Sequence, residues 1–448
     1  MNSDFQSAKE NFEKGTKCFN DGLYLEAENY FTQSLNILSN RVSTLSSLLI
    51  CKIKLKKINE CDEIIKKIDL IDPEYPYGIY AKALYHGLKL NFVKAKNELS
   101  LILKNENLPN ESLSTFYNCL GTTHVQLFDN NESIKCYLKA ISLNPKNYEA
   151  YFNLGTRYLS ENNFEKGWRY YEYRLKKNKL LANKYPKKIT DTVNKKILIR
   201  HEQGLGDTIQ FSRLLNNLTV YTKQIDLLVP DTLKELFKID NVNILSSLDK
   251  NINYDYEIYL MSLPFFLNLD LKNPPKSSSI NKNLMKENSK INKNKNLNIG
   301  LAWSGNEDYN FDNLRSISLI SLKKIMELKD NINVTFYCLQ KNIRKSDINY
   351  FKELNITYLG DLKFTDLAKE IVKLDLVLAC DTSILHLSSS LGVKTYGLFP
   401  FVTDWRWAKS KTKTNWYESL EIFKLNESQS WEELSSEIVK KIYKQIEN

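Results

Sequence analysis

Two short segments combine residue types and spacings suited to a phosphate-bearing ligand: Gln203-Gly-Leu-Gly-Asp-Thr208 and Asp381-Thr-Ser-Ile-Leu-His386. Ile197-Leu-Ile-Arg200 runs into the first and Leu374-Asp-Leu-Val-Leu-Ala379 into the second, so each reads as a turn from a buried strand to a helix. Such turns gather unpaired backbone N–H groups at a helix N-terminus, where an anion binds well. Gly204 and Gly206 permit a tight turn and close approach of backbone to ligand. Asp207 at the helix start suits two roles, an N-terminal cap or a general base within reach of an acceptor hydroxyl. Thr382 and Ser383 place hydroxyls beside free N–H groups, as a diphosphate requires. His386, one turn into the helix, is expected to donate to a phosphate or a sugar hydroxyl. Gln340, at a strand's carboxyl end, is expected to contact the donor. Trp405 and Trp407 flank Arg406 and either stack on a base or close a core.

The elements that must position these groups follow from periodicity. Ile197–His201 reads as a strand, Thr208–Leu218 as a helix, Ile225–Val229 as a strand and the Pro230-Asp-Thr stretch as a helix entry. Val242–Leu245 and Tyr256–Leu260 read as further strands. A second unit starts at Asn298-Ile-Gly-Leu-Ala-Trp303, with strands at Val334–Leu339, Ile356–Leu359, Leu376–Cys380 and Lys394–Leu398 and an amphipathic helix over 428–446. This is βαβ logic and implies parallel sheets. Ligands of such sheets sit at the carboxyl ends of the strands.

Residues 8–181 repeat with a period near 34. Small and large residues recur in register: Gly15, Ala27 and Phe31; Leu49, Cys61 and Ile65; Ala83, Ala95 and Leu99; Gly121, Ser133 and Tyr137; Gly155, Gly167 and Tyr171. Four residues, 110–113, are inserted between the third and fourth units. The pattern is two antiparallel helices per unit, with small residues at the crossings and Pro closing the unit.

The composition narrows the function class. The chain has 448 residues, enough for several cores, and 42% of them are hydrophobic, which excludes disorder. No apolar run is long enough to span a bilayer, and the first residues have no apolar signal-like stretch, so a cytoplasmic protein is expected. Seven cysteines without C-x-x-C spacing read as core residues in a reducing compartment. Two Lys-rich segments, 176–196 at +7 and 271–297 at +6, more than account for the net charge of +10 and leave the rest of the chain at −3; they read as solvated linkers and not as a nucleic-acid face.

On these residues, 8–181 resembles the tetratricopeptide repeat family, most clearly at Tyr151-Phe-Asn-Leu-Gly155. Such repeats imply a concave surface for a protein or peptide. Residues 196–216, Ile299-Gly-Leu-Ala-Trp303-Ser-Gly305-Asn306 and 374–407 resemble the heptosyltransferase-type glycosyltransferases (family 9), in particular bacterial proteins that fuse repeats to such a domain. The resemblance implies an α-solenoid followed by a GT-B fold of two Rossmann-like halves. The expected boundaries are 1–181 for the repeats, 182–195 for a linker, 196–270 for the acceptor half, 271–297 for an Asn/Lys-rich loop and 298–448 for the nucleotide-sugar half. It implies an inverting transfer of sugar to a protein, peptide or glycan, with Asp207 as base. Gln203, Gly204, Gly206, Thr208 and Gln210 would lie on the acceptor side. Trp303, Ser304, Gly305, Asn306, Arg315, Gln340, Asp381, Thr382, Ser383 and His386 would lie on the donor side. No metal or other cofactor is implied. Simple members carry Gly where this chain has Ser383, so the donor need not be ADP-heptose. Two rivals share the pattern: a repeat scaffold with an inactive α/β part, and an O-linked N-acetylglucosamine transferase-like enzyme.

Overall fold

A computed structural model describes residues 3–104, 107–180, 184–222, 224–249, 251–270, 274, 278–285, 296–307 and 312–447. Its contacts divide the chain into two compact units, Met1–Leu154 and Gly155–Asn448.

The N-terminal part is a run of helix pairs: α1 Ser3–Asn20 with α2 Tyr24–Ile37, α3 Val42–Lys54 with α4 Cys61–Ile71, α5 Pro76–Leu88 with α6 Phe92–Ile102, α7 Asn110–Gln126 with α8 Asn130–Leu143, and α9 Tyr148–Ser160 with α10 Phe164–Tyr171. The repeat is written in the backbone as well as in the side chains. After the first helix of each pair one residue turns left-handed: Gly22 (φ 80°), Lys56 (58°), Leu90 (59°), Phe128 (61°) and Asn162 (59°). Only the interval from Leu90 to Phe128 is longer, and the inserted residues fall there. Crossings are close because one partner is small. A Cβ on Gly121 would lie 2.6 Å from the Tyr137 ring. Ala27, Phe31, Leu49, Cys61 and Ile68 form one core of the first unit, and Ile79, Leu99, Phe116 and Leu120 belong to another.

In the second unit the chain passes through α10 and the short helix α11, Tyr173–Lys177, into two parallel sheets. The first holds β1 Lys196–Arg200, β2 Gln224–Leu228, β3 Val242–Leu245 and β4 Tyr256–Tyr259 in the order β3-β2-β1-β4. The second holds β5 Leu297–Ala302, β6 Val334–Cys338, β7 Thr357–Tyr358, β8 Leu376–Cys380, β9 Thr395–Phe399 and β10 Leu420–Lys424 in the order β10-β9-β8-β5-β6-β7. All pairings between these strands are parallel. Counted from its own first strand, the second sheet has the doubly wound order 3-2-1-4-5-6. The order reverses between β1 and β4 in one sheet and between β5 and β8 in the other. β8 and β9 are buried along their whole length, the mark of strands covered on both faces. Ile299, Leu301, Leu376, Leu378 and Tyr396 centre the second core.

The structure departs from the sequence expectation in four places. The helix expected over Thr208–Leu218 begins earlier, as α12 Leu205–Ser212, and breaks before a separate turn at Leu215–Leu218. Arg213 Nε takes the Gln210 carbonyl at 2.9 Å, and Leu214 N–H falls back to Phe211. The segment after Pro230 is only a 3₁₀ turn, Asp231–Leu236, because Phe237 next pairs with Ile280. β10 is an additional strand; its Leu420-Glu-Ile-Phe-Lys424 run is too short to separate from a loop by pattern alone. The stretch from 184 onward is not a loose linker: Lys184 Nζ reaches the Tyr254 carbonyl at 3.1 Å and Tyr185 donates to Glu172 at 2.6 Å. Most of the Asn/Lys-rich loop 271–297 lies outside the described residues.

Candidate functional site

The two turns singled out in the sequence meet. A Cβ on Gly206 would lie 2.6 Å from His386 Cδ2 and 3.4 Å from Ser383 Cα, so α12 and the Ser383–Ser390 helix touch at their N-terminal ends. Both ends lie at carboxyl termini of strands, β1 and β8.

The first turn is built by local chemistry. Gly204 is the N-cap of α12, and Asp207, the third helical residue, reaches back to accept the Gly204 N–H at 2.9 Å. This is the carboxylate half of a capping box. The other Asp207 oxygen accepts from Arg406 Nη2 at 2.5 Å. Thr208 is buried and its hydroxyl donates to the Gly204 carbonyl at 3.2 Å. Gln203 has a left-handed backbone, φ 59°, and donates from Nε2 to the Tyr171 hydroxyl at 3.0 Å. Gln210 is fully buried, and neither end of its amide has a partner among the described residues.

The second turn opens the Ser383–Ser390 helix. Thr382 is the N-cap, yet its hydroxyl makes no capping bond, and Oγ1 is buried without a partner among the described residues. Asp381 accepts from Trp407 Nε1 at 3.0 Å, and its other oxygen lies 3.7 Å from His386 Nε2. Burial alone would raise the Asp381 pKa; His386, Arg406 and the indole N–H outweigh it and hold the carboxyl below its ordinary value. A carboxylate only accepts, so the proton of a neutral His386 belongs on Nε2. Nδ1 then accepts from the Tyr417 hydroxyl, 2.8 Å away. Burial is also the main cause that pushes the Tyr417 phenol up to about 12. Both nitrogens of His386 therefore face protein groups, Tyr417 and Asp381, whereas the sequence expectation has one donating to a phosphate or a sugar hydroxyl.

The remaining residues expected on the donor side divide. Arg315 joins the turn, donating from Nη1 to the Asp381 carbonyl at 3.1 Å and from Nε to Asp312 at 3.2 Å. Gly305 makes room for it: a Cβ there would meet Arg315 Nη2 at 2.6 Å. Gln340 commits its amide to the chain, accepting from the N–H groups of Trp303 and Ser304 and donating to Ser304 Oγ and the Asn342 carbonyl. Trp303 lies in the core and donates to Asp347 at 2.8 Å. Asn306 is exposed beyond that loop.

Sequence reasoning assigns Arg406 no role. It donates to Asp207 and Asp404 and lies over the rings of Trp405, 4.7 Å, and Phe211, 5.4 Å. Burial opposes its charge, but Asp404, Asp207, Tyr171 and Asp381 together raise its pKa, so it is a permanent cation between the two turns. An Arg between two Trp residues was the available signal. Trp405 and Trp407 are themselves buried, in contact with Trp168, Phe211, Trp416 and Phe399.

Residues 121–160 match the family model described as TPR repeat. The N-terminal region is a TPR-like helical repeat. It is followed by the parallel α/β sheets. Solved structures similar to this chain include the pilF protein of Pseudomonas aeruginosa (13% identity, 38% of this chain and 76% of that one, TM-score 0.34). Others are a thermophilic TPR protein of Thermus thermophilus (17%, 39% and 92%, 0.35) and MamA from Desulfovibrio magneticus (18%, 39% and 94%, 0.29). No curated protein matches the chain. Among the described residues no helix is long and apolar enough to cross a membrane, and no group of three or more His, Cys, Asp or Glu could hold a metal ion.

Proposed function

We propose that the chain is a glycosyltransferase of GT-B type, similar to the heptosyltransferase family, with the TPR repeat as a docking surface for a protein, peptide or glycan acceptor. The observation that carries this reading is the Asp207–Arg406 pair, which joins the turn after β1 to the segment after β9 at 2.5 Å. Two switch-point sheets with their carboxyl ends turned to one another suit a two-part substrate.

In this reading the acceptor hydroxyl attacks the anomeric carbon of a nucleotide sugar. The bond from that carbon to the diphosphate breaks, with its electron pair leaving on the diphosphate, and the hydroxyl proton passes to a remaining lone pair of Asp207. Thr382 Oγ1, the first N–H groups of the Ser383–Ser390 helix and the cations Arg315 and Arg406 offset the charge that develops on the leaving group. His386 holds the Asp381 turn in shape, and Gln340 holds the Trp303–Ser304 segment after β5.

A second reading, a repeat scaffold with an inactive α/β part, is favoured by one observation: both oxygens of Asp207 already accept hydrogen bonds from the chain. A thermal-shift screen of ADP-, GDP-, UDP- and CMP-sugars separates the two. Ligand at 100 times its dissociation constant stabilises by about 2.7 kcal/mol. A shift with one nucleotide class that is lost in Arg315→Gln supports transfer; no shift with any class leaves the scaffold.

A further inference from the structure

The fifth repeat breaks register at one buried position. Three residues after the large residue at the helix crossing, the first four units carry Ser34, Ile68, Ile102 and Ala140, and the fifth carries Arg174. All five are buried, Arg174 completely. A cation where the pattern takes a small or apolar side chain adds desolvation cost without improving repeat packing. Its presence is explained by what it meets.

It meets the switch point of the first sheet. Arg174 Nε and Nη2 donate to the two oxygens of Glu202 at 2.8 and 2.7 Å, and Nη2 also donates to Ser262 Oγ at 2.7 Å. Glu202 follows β1 and Ser262 follows β4, the strands between which the order reverses. Met261 N–H closes onto Glu202 at 3.2 Å. The guanidinium thus ties together the segments that follow β1 and β4, on either side of the reversal. The next residue, Gln203, is left-handed and tied to Tyr171. A non-glycine residue keeps that backbone only where its surroundings hold it. Gly204 and Asp207 come directly after.

We infer that Arg174 and Tyr171, in the last repeat, are positioning residues that set the Glu202–Asp207 turn, so that the repeat ends by building the acceptor side of the site. The assignment of that turn to the acceptor rests on the proposed function; the positioning itself does not.

Hydrogen exchange on the full chain tests it. In the paired variant Arg174→Met with Glu202→Gln and Glu172→Gln, both carboxylates that bind the guanidinium are neutralised together with it. Exchange across residues 203–208 is expected to rise at least tenfold, with residues 383–390 unchanged. Tyr171→Phe removes one hydroxyl, keeps the ring, and is expected to give the same local rise; it decides the matter should the paired variant not fold. Unchanged exchange at 203–208 in a folded variant overturns the inference. With a nucleotide sugar that the wild type turns over, Tyr171→Phe is expected to lower kcat at least tenfold at constant donor KM. Unchanged kcat overturns the positioning role. The two readings fail separately: a wild-type chain that binds neither ADP, GDP, UDP nor CMP by calorimetry overturns the transfer reading, and the exchange result still decides this one.

Discussion

Gly206 and His386 are packed so closely that no side chain fits between them. A Cβ on Gly206 would stand 2.6 Å from His386 Cδ2, and the ring is pinned from behind by the Tyr417 hydroxyl. Gly206→Ala is therefore expected to push α12 away from the Ser383–Ser390 helix. Overpacking of this kind costs about 1–3 kcal/mol. Calorimetry should show the second unit melting several degrees lower; an unchanged transition would mean that the two helices slide apart freely.

Asp207→Asn is expected to leave the chain folded, because Arg406 retains Asp404 and the amide oxygen can still accept the Gly204 N–H. Loss of one charged partner costs roughly 1–3 kcal/mol. Transfer should be abolished in this variant. Turnover at the wild-type rate would remove Asp207 from the chemistry.

The tautomer of His386 can be read directly. Nitrogen shifts should show Nε2 protonated and Nδ1 as an acceptor in the wild type, with Nδ1 perturbed in Tyr417→Phe. A protonated Nδ1 in the wild type would contradict the arrangement of Asp381, His386 and Tyr417.

Burial lowers the pKa of His201 beneath its ordinary value. The unfolded chain takes up that proton near pH 6.5, while the folded chain resists it until lower pH. Stability is thus fully present above about pH 6.5 and falls as the pH drops towards the folded value. Denaturant unfolding at two pH values should show a shallower acid loss in His201→Asn. Asp381, whose folded pKa is also lowered, acts in a separate window, beneath the ordinary carboxylate value of about 3.9. An equal slope in variant and wild type would exclude His201.

Leu90 holds a left-handed backbone with its side chain half exposed. Asn adopts that conformation more readily, and little apolar burial is lost. Leu90→Asn is expected to stabilise the first unit by about 0.5–1 kcal/mol, measured by urea unfolding. A loss of stability would show that the Leu90 side chain packs more than its exposure implies.

The parallel sheets and the repeat were legible because their patterns are long and periodic. Strands such as Leu376–Cys380 are continuous apolar runs, and Gly121, Ser133 and Tyr137 recur in register. The meeting of Gly206 with His386 was half legible: both turns were visible, but nothing in the sequence says that they touch. The flanking tryptophans marked Arg406, but neither its role nor that of Tyr417 was legible, since their partners Asp207 and His386 lie 199 and 31 residues away. Gln340 was placed by position alone and Trp303 by the resemblance, and neither reveals that the amide is used up by neighbouring backbone or that the indole lies in the core.

The bonds that hold the first turn differ sharply in how far they reach along the chain. Arg174 and Glu202 are 28 residues apart, whereas Arg406 and Asp207 are 199 apart. During synthesis at about 5–20 residues per second, Asp207 leaves the ribosome on the order of 10–40 s before its arginine. The partner that shapes the turn is thus on hand as soon as the turn is made, whereas the cation that compensates its carboxylate arrives only with the second sheet.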